Sequence, residues 1–505
     1  MTPEIEKLRS AAKRLKKTYA TGDPQTLQRC HRYVSGDVTP KHADFLHVIA
    51  RENGHESWPK LKFALETASM DRDERAERLK TALYFGQNWV IEKLLADDPD
   101  LPADNLGLQI ALYDLEAVRT ALLERPERAL LEIGPRRPIL HLAFSKYIHM
   151  APEKKTEMLE LADLLLEQGA DPNDGYAAEP GSEHKLSALY GALGHADNMA
   201  LAAWLLDHGA DANDDESLYH AVELGHNEGL KLLIKHGVRC SGTNALPRAL
   251  DFDDLEAVRL LLEHGADPNE AMTEHPSGQP VDGIPALHQA ARRWRSEAVV
   301  ELLLDHGADL DAIWESHTPY ATARIYGNRD AASALKARGC ATSLSDSERA
   351  LALCADGKRP GVRIDPADLS KEDQLLLTRL AHEPSRFLHI KTLLEAGYDP
   401  DQADEMGLTA LQAAGWQGIF DLVALLLEHQ PDLKHVNAYG GDALSTVIHG
   451  AEHCPDRAGR DHIGCARLLL EAGTALNPQD VKATGSEAMA LFLEDWTLES
   501  EGVLE

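Results

Sequence analysis

Cysteine is scarce in this sequence, and no two cysteines form a CxxC pair. The 505 residues contain 6 Cys, which argues against a disulfide framework and for a reducing compartment. Long apolar runs are missing as well, since no stretch approaches the roughly 18 residues of a membrane span. Residues 1–18 also lack the apolar core of a secretion signal. We therefore expect a cytoplasmic protein without a membrane span.

Positive charge is also in short supply. The chain has 51 Lys and Arg against 83 Asp and Glu, a net charge of −32. This balance disfavours nonspecific binding to nucleic acid or to an anionic membrane. Residues 1–62 run against the trend, with 12 Lys/Arg and 7 Asp/Glu. Such an asymmetry predicts a separate basic part at the N-terminus.

Motifs that carry enzyme chemistry are absent. The sequence has no GxGxxG, no phosphate loop, no HExxH, no GxSxG and no kinase set, which are the common local signatures of cofactor and catalytic sites. Carboxylates are so numerous that no pair can be singled out for acid–base catalysis. We therefore assign no catalytic residue and no cofactor, and predict that the protein is not an enzyme.

A repeated phrase dominates what is present. Residues 257–269 read AVRLLLEHGADPN, and close copies occur at 161–173, 201–213 and 298–311. Each copy is an apolar helical run that ends on Gly. A turn follows, in which Asp and Asn can bond their own backbone. Since a single core stops growing at roughly 250–300 residues, this repetition predicts a solenoid.

A shorter helix with small residues precedes each phrase, as in PALHQAA at 285–291 and GLTALQAA at 407–414. Together the two parts resemble the ankyrin-repeat family, whose unit reads roughly TPLHLAAxxGHxEVVxLLLxxGADxN. The resemblance implies stacked helix pairs, because one pair alone cannot bury its apolar layer. We predict an all-α fold: an ankyrin-repeat solenoid of about 10–11 helix-pair repeats, several degenerate, with a small helical N-terminal domain.

Departures from the repeat give this chain its individuality. Gly209, Gly237 and Gly265 are only 28 residues apart, shorter than the roughly 33-residue ankyrin unit, so their finger turns must be clipped. Insertions are expected around 145–156 and 452–461. The gap of 58 residues between Gly339 and Gly397 predicts an extra helix at 345–356. Long finger loops are expected at 174–183 and 270–282.

The segment HADFLHVIARENGHESWPKLK at 42–62 also resembles a segment found ahead of bacterial ankyrin arrays. This resemblance implies a bacterial source but no chemistry.

Together these observations predict four domains. They are a basic helical N-terminal domain at 1–70, a first ankyrin block at 75–344, a divergent repeat with a second ankyrin block at 345–480, and a C-terminal cap at 481–505.

One insertion contains residues that zinc prefers. His449 and His453 are four apart and share a helix face, and His462 and Cys465 are three apart. Three or four such N/S ligands are what a zinc site needs. Neither half has a C-x2-C pair, so an ordinary loop is the favoured interpretation. The metal candidates are His449, His453, Cys454, His462 and Cys465.

The family resemblance also implies where a partner would bind. In ankyrin arrays, partners contact the finger tips and the ends of the first helices on the concave face. Trp and Arg are enriched at energetic hot spots. The alternative is that the tryptophans pack between repeats and the arginines pair with neighbouring acids. The candidate contact residues are Arg292, Arg293, Trp294, Arg295, Trp314, Trp416 and Gln417.

Three functional hypotheses remain at this point. The favoured one is a non-catalytic scaffold that binds another protein on the concave face of the array. A metal-dependent enzyme with its site at 449–465 is the second. The third is nucleic-acid or membrane targeting by the basic N-terminal domain. The sequence does not identify the partner.

Overall fold

The computed structural model describes residues 3–34, 40, 42–177, 181–273, 283–365, 369–477, 484 and 486–502. The chain divides into two compact units. The middle unit comprises residues 70–323 and 328–342, and the terminal unit comprises residues 1–69, 324–327 and 343–505. The predicted finger loops extend into residues 178–180 and 274–282, and the predicted C-terminal cap into 481–483, 485 and 503–505; these lie outside the described residues.

Four helices form the N-terminal part of the terminal unit. Their apolar faces close around Ile5, Phe45 and Trp58, all of which are buried. Leu491, from the last helix of the chain, belongs to the same core, and Lys16 pairs with Asp495 of that helix. The basic N-terminal helices therefore pack against the C-terminal helix. The four helices are α1 (Pro3–Ala20), α2 (Pro24–Cys30), α3 (His42–Glu52) and α4 (Trp58–Ala68).

Among the described residues, the next eight helix pairs all begin in the middle unit. In the fourth pair, α11 continues into a π-helical turn (Gly191–His195). The helices are α5 (Arg72–Phe85), α6 (Asn88–Asp97), α7 (Leu106–Ala111), α8 (Leu115–Glu124), α9 (Pro138–Ala143), α10 (Lys155–Glu167), α11 (Ala188–Tyr190), α12 (Met199–Asp207), α13 (Ser217–Ala221), α14 (Glu228–Lys235), α15 (Ala245–Asp251), α16 (Leu255–Glu263), α17 (Ala286–Arg292), α18 (Glu297–Asp305), α19 (Pro319–Tyr326) and α20 (Arg329–Ala337).

Among its described residues, the rest of the terminal unit contains nine further α-helices. The extra helix predicted at 345–356 is present as α21, with Ser345 and Glu348 forming a capping box. The helices are α21 (Asp346–Ala355), α22 (Lys371–Gln374), α23 (Leu376–Leu380), α24 (Phe387–Ala396), α25 (Ala410–Trp416), α26 (Phe420–Glu428), α27 (Ala443–His453), α28 (His462–Glu471) and α29 (Glu487–Gly502).

The helix pairs confirm the predicted all-α solenoid of stacked repeats. In the pair α17/α18, Ala290 and Ala291 of the first helix are fully buried, as is Leu303 of the second. Small side chains on the first helix let the second approach closely, and the leucines fill the layer between neighbouring pairs. No helix in the described part of the chain is both long and apolar enough to cross a membrane.

The turn after each second helix ties one repeat to the next. Gly265 takes a φ of 93°, a backbone conformation that costs L-residues roughly 1–2 kcal/mol. Asn269 then bridges forward: its Nδ2 donates to the Gly307 carbonyl over 2.9 Å, and its Oδ1 accepts from the Asp309 amide over 2.7 Å. The final Asn of the repeated phrase is therefore an inter-repeat hydrogen-bonding residue.

The insertions and fingers fold locally. The insertion at 145–156 contains two 3-10 turns (Lys146–His149 and Pro152–Lys154), and the insertion at 452–461 contains another (Arg457–Gly459). One finger forms a short hairpin of β1 (Gly175–Ala177) and β2 (Lys185–Ser187), paired antiparallel with Gly175 opposite Ser187. The insertions extend the array without interrupting the stacking of its helix pairs.

Candidate interaction surface

A chain of alternating charges runs from a finger across three consecutive first helices, α13, α15 and α17, of the middle unit. Helical spacing starts it, since Glu216, the N-cap of α13, His220 within it and Glu223 just after it are four and three residues apart. Arg248 and Asp251 repeat the pattern on α15. We call this set the charge ladder, and its members are His184, Glu216, His220, Glu223, Arg248, Asp251 and Arg293.

The contacts of the ladder are short and continuous. His220 Nδ1 lies 2.7 Å from Glu223 Oε2, and the Arg248 Nε donates to Glu223 Oε1 over 2.7 Å. Asp251 accepts from Arg248 Nη1 over 3.3 Å and pairs with Arg293 Nε over 2.8 Å. Because every charge has an opposite neighbour, the side chains are held in place before any partner arrives.

The ladder also sets the charge of its histidine. Burial alone would lower the pKa of His220, but its hydrogen bonds to Glu216 and Glu223, with their negative charges, raise that pKa to about 9. His220 is therefore protonated at neutral pH. Three cations (His220, Arg248, Arg293) then balance three carboxylates. The ladder is locally neutral in a chain whose net charge is −32.

A groove of about 270 Å³ lies beside the ladder. Its lining comes from first helices and finger turns of successive repeats, including Tyr219, Arg248, Asp251 and Gln289. The Arg248 guanidinium lies 5.3 Å from the Tyr219 ring and 4.7 Å from the Phe252 ring. Phe252 is 48% exposed. The Tyr219 ring and an ordered arginine thus line the groove, and the exposed Phe252 ring lies against that arginine.

The predicted contact residues at 292–295 lie in this region, but not all reach the surface. Arg292 is only 6% exposed, its Nε donates to Gln289, and its guanidinium lies 5.6 Å from the Trp314 ring. Arg293 is exposed and binds Asp251. Arg295 pairs with Asp253 over 3.0 Å. Arg293 and Arg295 therefore pair with acids of the neighbouring repeat, and Arg293 also faces solvent.

Trp294 occupies a special backbone position. Its φ is 56°, and the equivalent turns between the two helices of other repeats have Gly225, Gly327 and Gly418 with φ of 74°, 73° and 64°. A bulky residue with positive φ is uncommon and costs free energy. Trp294 is half-buried. Other repeats also place non-glycine residues with positive φ in this turn, such as Tyr113 and Asp253, so Trp294 is one of several such residues and lies next to the exposed Arg293.

Trp416 and Gln417 belong to the terminal unit. The Trp416 ring lies 5.2 Å from that of His449, and its carbonyl lies 2.9 Å from Nε2 of His462. The Cys454 thiol donates to Gln417 Oε1 over 3.4 Å. Both residues are partly exposed, and both hold the insertion against the preceding repeat.

The five metal candidates are not assembled into a site. Across the described residues, no group of three or more His, Cys, Asp or Glu is arranged to hold a metal ion. His449 and His453 stack on each other at 4.3 Å. His462 bonds the Trp416 carbonyl. Burial raises the pKa of the Cys465 thiol to about 12, which opposes the thiolate that zinc requires. These residues pack the insertion.

A second cluster in the middle unit had no signal in the sequence. The Arg136 guanidinium lies 4.8 Å from the Tyr84 ring, 4.7 Å from Phe144 and 4.4 Å from Tyr176. We call these four residues the arginine box. They come from α5, a finger turn, the end of α9 and strand β1, so only the stacking of repeats brings them together. The ladder, in contrast, had a readable signal in the i, i+3 and i+4 spacing of its charges.

Family models for the ankyrin repeat match part of the chain. A model of three ankyrin repeats matches residues 189–272, and a single ankyrin repeat matches residues 282–314. The matched residues contain most of the ladder, the groove and Trp294. No protein with a curated description matches the chain.

Solved structures of ankyrin-repeat domains are similar to parts of the chain. The domain of Bcl-3, of the IkappaB family, is 22% identical over 46% of this chain and 97% of that one, with a TM-score of 0.35. Human ASB11 is 22% identical over 52% and 99%, at 0.22. A domain from Acinetobacter baumannii is 25% identical over 39% and 100%, at 0.30. At such TM-scores these likenesses carry no further conclusion.

Proposed function

This chain contains an ankyrin-repeat domain, and from that premise we propose that it is a non-catalytic scaffold that binds another protein. Ankyrin repeats are generally protein–protein interaction modules. The proposed contact surface is the face of the middle unit that carries the charge ladder and the groove, which corresponds to the concave face of the family. The observation that carries the proposal is the groove lined by Tyr219 and Arg248, with the exposed ring of Phe252 against the Arg248 guanidinium.

The preorganisation of this face supports the proposal. Binding costs free energy for each side chain that must be ordered. Arg248 is already ordered by two rings and two carboxylates, so little of that cost remains. The local neutrality of the ladder favours a partner recognised by shape and hydrogen bonds over one attracted by charge.

Trp294 supports the same surface. Strained backbone conformations persist where the surroundings enforce them, and they cluster at functional sites. Tryptophan is also among the residues most enriched at binding hot spots. We therefore include Trp294 and the exposed Phe252 in the contact surface, with Arg293 between groove and solvent. Trp314 and the buried Arg292 support them from below.

The test starts from the full chain. Proteins captured by the immobilised chain are identified by mass spectrometry, and a purified partner is then titrated against variants. Trp294→Gly is the sharpest variant, because glycine suits the positive φ there and removes only the ring. Phe252→Ser removes the exposed ring beside Arg248. We expect each to weaken binding by about ten-fold or more.

A matched control separates the surface from general apolarity. Leu123 is 79% exposed on α8, a second helix, and Leu123→Ser should leave the affinity unchanged. If binding is insensitive to both Trp294→Gly and Phe252→Ser, or equally sensitive to Leu123→Ser, this face is not the contact surface.

We further propose that the protein works in the cytoplasm of a bacterium. All six cysteines are free thiols and all are buried, as suits a reducing compartment. The proposal is tested by raising an antibody and fractionating cells of the source. Recovery of the chain outside the cytoplasmic fraction would contradict it.

A further inference from the structure

Arg136 has no carboxylate partner in the part of the chain that the structure describes. Its Nη2 donates to the Tyr176 hydroxyl over 2.8 Å, and the Tyr84 hydroxyl is the other acceptor that faces it. Its Nε is buried and has no acceptor. Two neutral hydroxyls do not balance the charge of a guanidinium, and they do not offer the pair of acceptor oxygens with which a carboxylate binds arginine through two parallel hydrogen bonds.

The neighbouring arginines of the same unit behave differently. Arg137 pairs with Asp174 over 3.4 Å, Arg248 with Glu223, and Arg295 with Asp253. Acidic residues are numerous enough to pair with these arginines, because the chain has 83 Asp and Glu. The absence of an acid beside Arg136 is therefore a local feature of the box, where aromatic rings surround the guanidinium instead.

A cavity opens beside the box. It measures about 190 Å³ and is lined by Arg136, Tyr84, Phe144, Glu77 and Lys80, among others. This is far above the roughly 15 Å³ that admits one water. Lys80 is already paired with Glu77 over 2.6 Å, so those two charges cancel. The cavity is left with the single positive charge of Arg136.

The histidines around the box add no further charge. Burial lowers the pKa of His141 to about 4, and burial together with the Lys146 charge lowers the pKa of His195 to about 4. Both rings are neutral at pH 7 and bond backbone carbonyls, His141 that of Ile133 and His195 that of Tyr84. A cavity whose lining carries one net positive charge, that of Arg136, suits a monoanion better than a dianion such as phosphate.

We propose that the arginine box is a carboxylate-binding pocket that takes an acidic side chain, Asp or Glu, of a bound protein. The inference rests on the proposed function, because the acidic residue belongs to the protein partner. A planar carboxylate matches the planar guanidinium, and the three rings exclude water from its faces. The pocket gives the otherwise locally neutral binding face one charge-specific contact.

The experiment uses the full chain and a displayed library of random 12-residue peptides. Peptides recovered on the wild type are synthesised, and each Asp or Glu is changed to Asn or Gln. Affinities are then measured on the wild type, on Arg136→Lys and on the matched control Arg137→Lys. Lysine keeps the positive charge but cannot present the planar set of donors.

We expect a Glu→Gln or Asp→Asn change in the peptide to weaken binding about ten-fold on the wild type and on Arg137→Lys. On Arg136→Lys the same change should have an effect of less than about three-fold. Tyr84→Phe serves if Arg136→Lys does not fold. It removes one polar atom, and should reduce the acid dependence by a few-fold.

The outcomes separate the inference from the proposed function. Peptides that bind without acid dependence, or with the same dependence on Arg136→Lys, overturn the carboxylate pocket and leave the protein-binding function standing. Competition by inorganic phosphate in preference to acetate would overturn the carboxylate assignment. Failure to recover any peptide, together with failure to capture any protein, removes both.

Discussion

The charge ladder and the arginine box lie in the same unit and use their arginines in opposite ways. In the ladder, Arg248 and Arg293 meet carboxylates of their own chain, so the charges cancel and order the surface. In the box, Arg136 meets three aromatic rings and no carboxylate among the described residues. Internal pairing gives rigidity, whereas an unpaired cation keeps its capacity to bind an anion. We propose that the two regions supply different parts of one recognition surface.

The largest difference is expected in how much the free energy of unfolding falls when a ring is removed from the box or from beside the ladder. Phe144 is 2% exposed and packs against Gly191, where an added Cβ would come within 2.5 Å of the ring. Phe144→Ala should lower the free energy of unfolding by about 3–5 kcal/mol. Phe252→Ala, at a ring that is 48% exposed, should change it by less than about 0.5 kcal/mol. Urea unfolding followed by hydrogen exchange in the middle unit measures both. Similar losses would contradict the difference in burial between Phe144 of the box and Phe252 beside the ladder.

The histidines should respond to pH in opposite directions. The pKa of His220 is raised to about 9 in the folded chain from about 6.5 when unfolded. The stabilisation of the fold by protonated His220 is fully present below pH 6.5 and is lost as the pH rises from 6.5 to 9. The pKa values of His141 and His195 are lowered to about 4, so they destabilise the fold as pH falls from 6.5 towards 4. Each effect is of order 1–3 kcal/mol.

Variants isolate these pH effects. His220→Gln should flatten the loss of stability between pH 6.5 and 9, as followed by urea unfolding at each pH. His195→Gln should flatten the acid-side loss and leave the alkaline side unchanged. A parallel shift of both sides in either variant would show that the histidines do not act separately.

The shared carboxylate of the ladder, Asp251, should contribute more to stability than Asp253, an exposed carboxylate outside the ladder. Asp251 accepts hydrogen bonds from Gln289, Arg248 and Arg293. Asp251→Asn removes the negative charge that these donors face and should lower the free energy of unfolding by about 1–3 kcal/mol. Asp253 is 57% exposed and pairs only with Arg295 among the described residues. Asp253→Asn should cost less than about 1 kcal/mol, and asparagine suits its positive φ. Thermal unfolding of the two variants decides whether the ladder acts as a network.

The smallest effect is expected at the edge of the box. Tyr176→Phe removes the hydroxyl that accepts from Arg136 but keeps the ring beneath the guanidinium. The loss should be about 0.5–1.5 kcal/mol. The same measurement on Tyr84→Phe gives the share of the second hydroxyl. A loss above about 3 kcal/mol would mean that the hydroxyls, and not the rings, hold Arg136.

Much of the fold was readable because its causes are local. The apolar runs, the terminal glycines such as Gly265 and the capping signal at Ser345 depend on residues three or four positions apart, and the structure confirms the helices they predict. The partner residues at 292–295 remain a prediction. Their sequence did not indicate that Arg292 is buried or that Trp294 takes a positive φ. Burial and φ at those positions depend on how the neighbouring repeat packs.

By itself, the sequence of this protein determined stacked helix pairs, because the 3.6-residue period and the Gly-Ala-Asp turns act within one repeat. It also determined the alternation of charges on α13 and α15, for the same reason. Only the tertiary structure decided that Arg136 meets Tyr84, Phe144 and Tyr176, which stand 52, 8 and 40 residues away in the chain. Contacts at such separations depend on the register in which repeats and fingers stack, and no local pattern records that register.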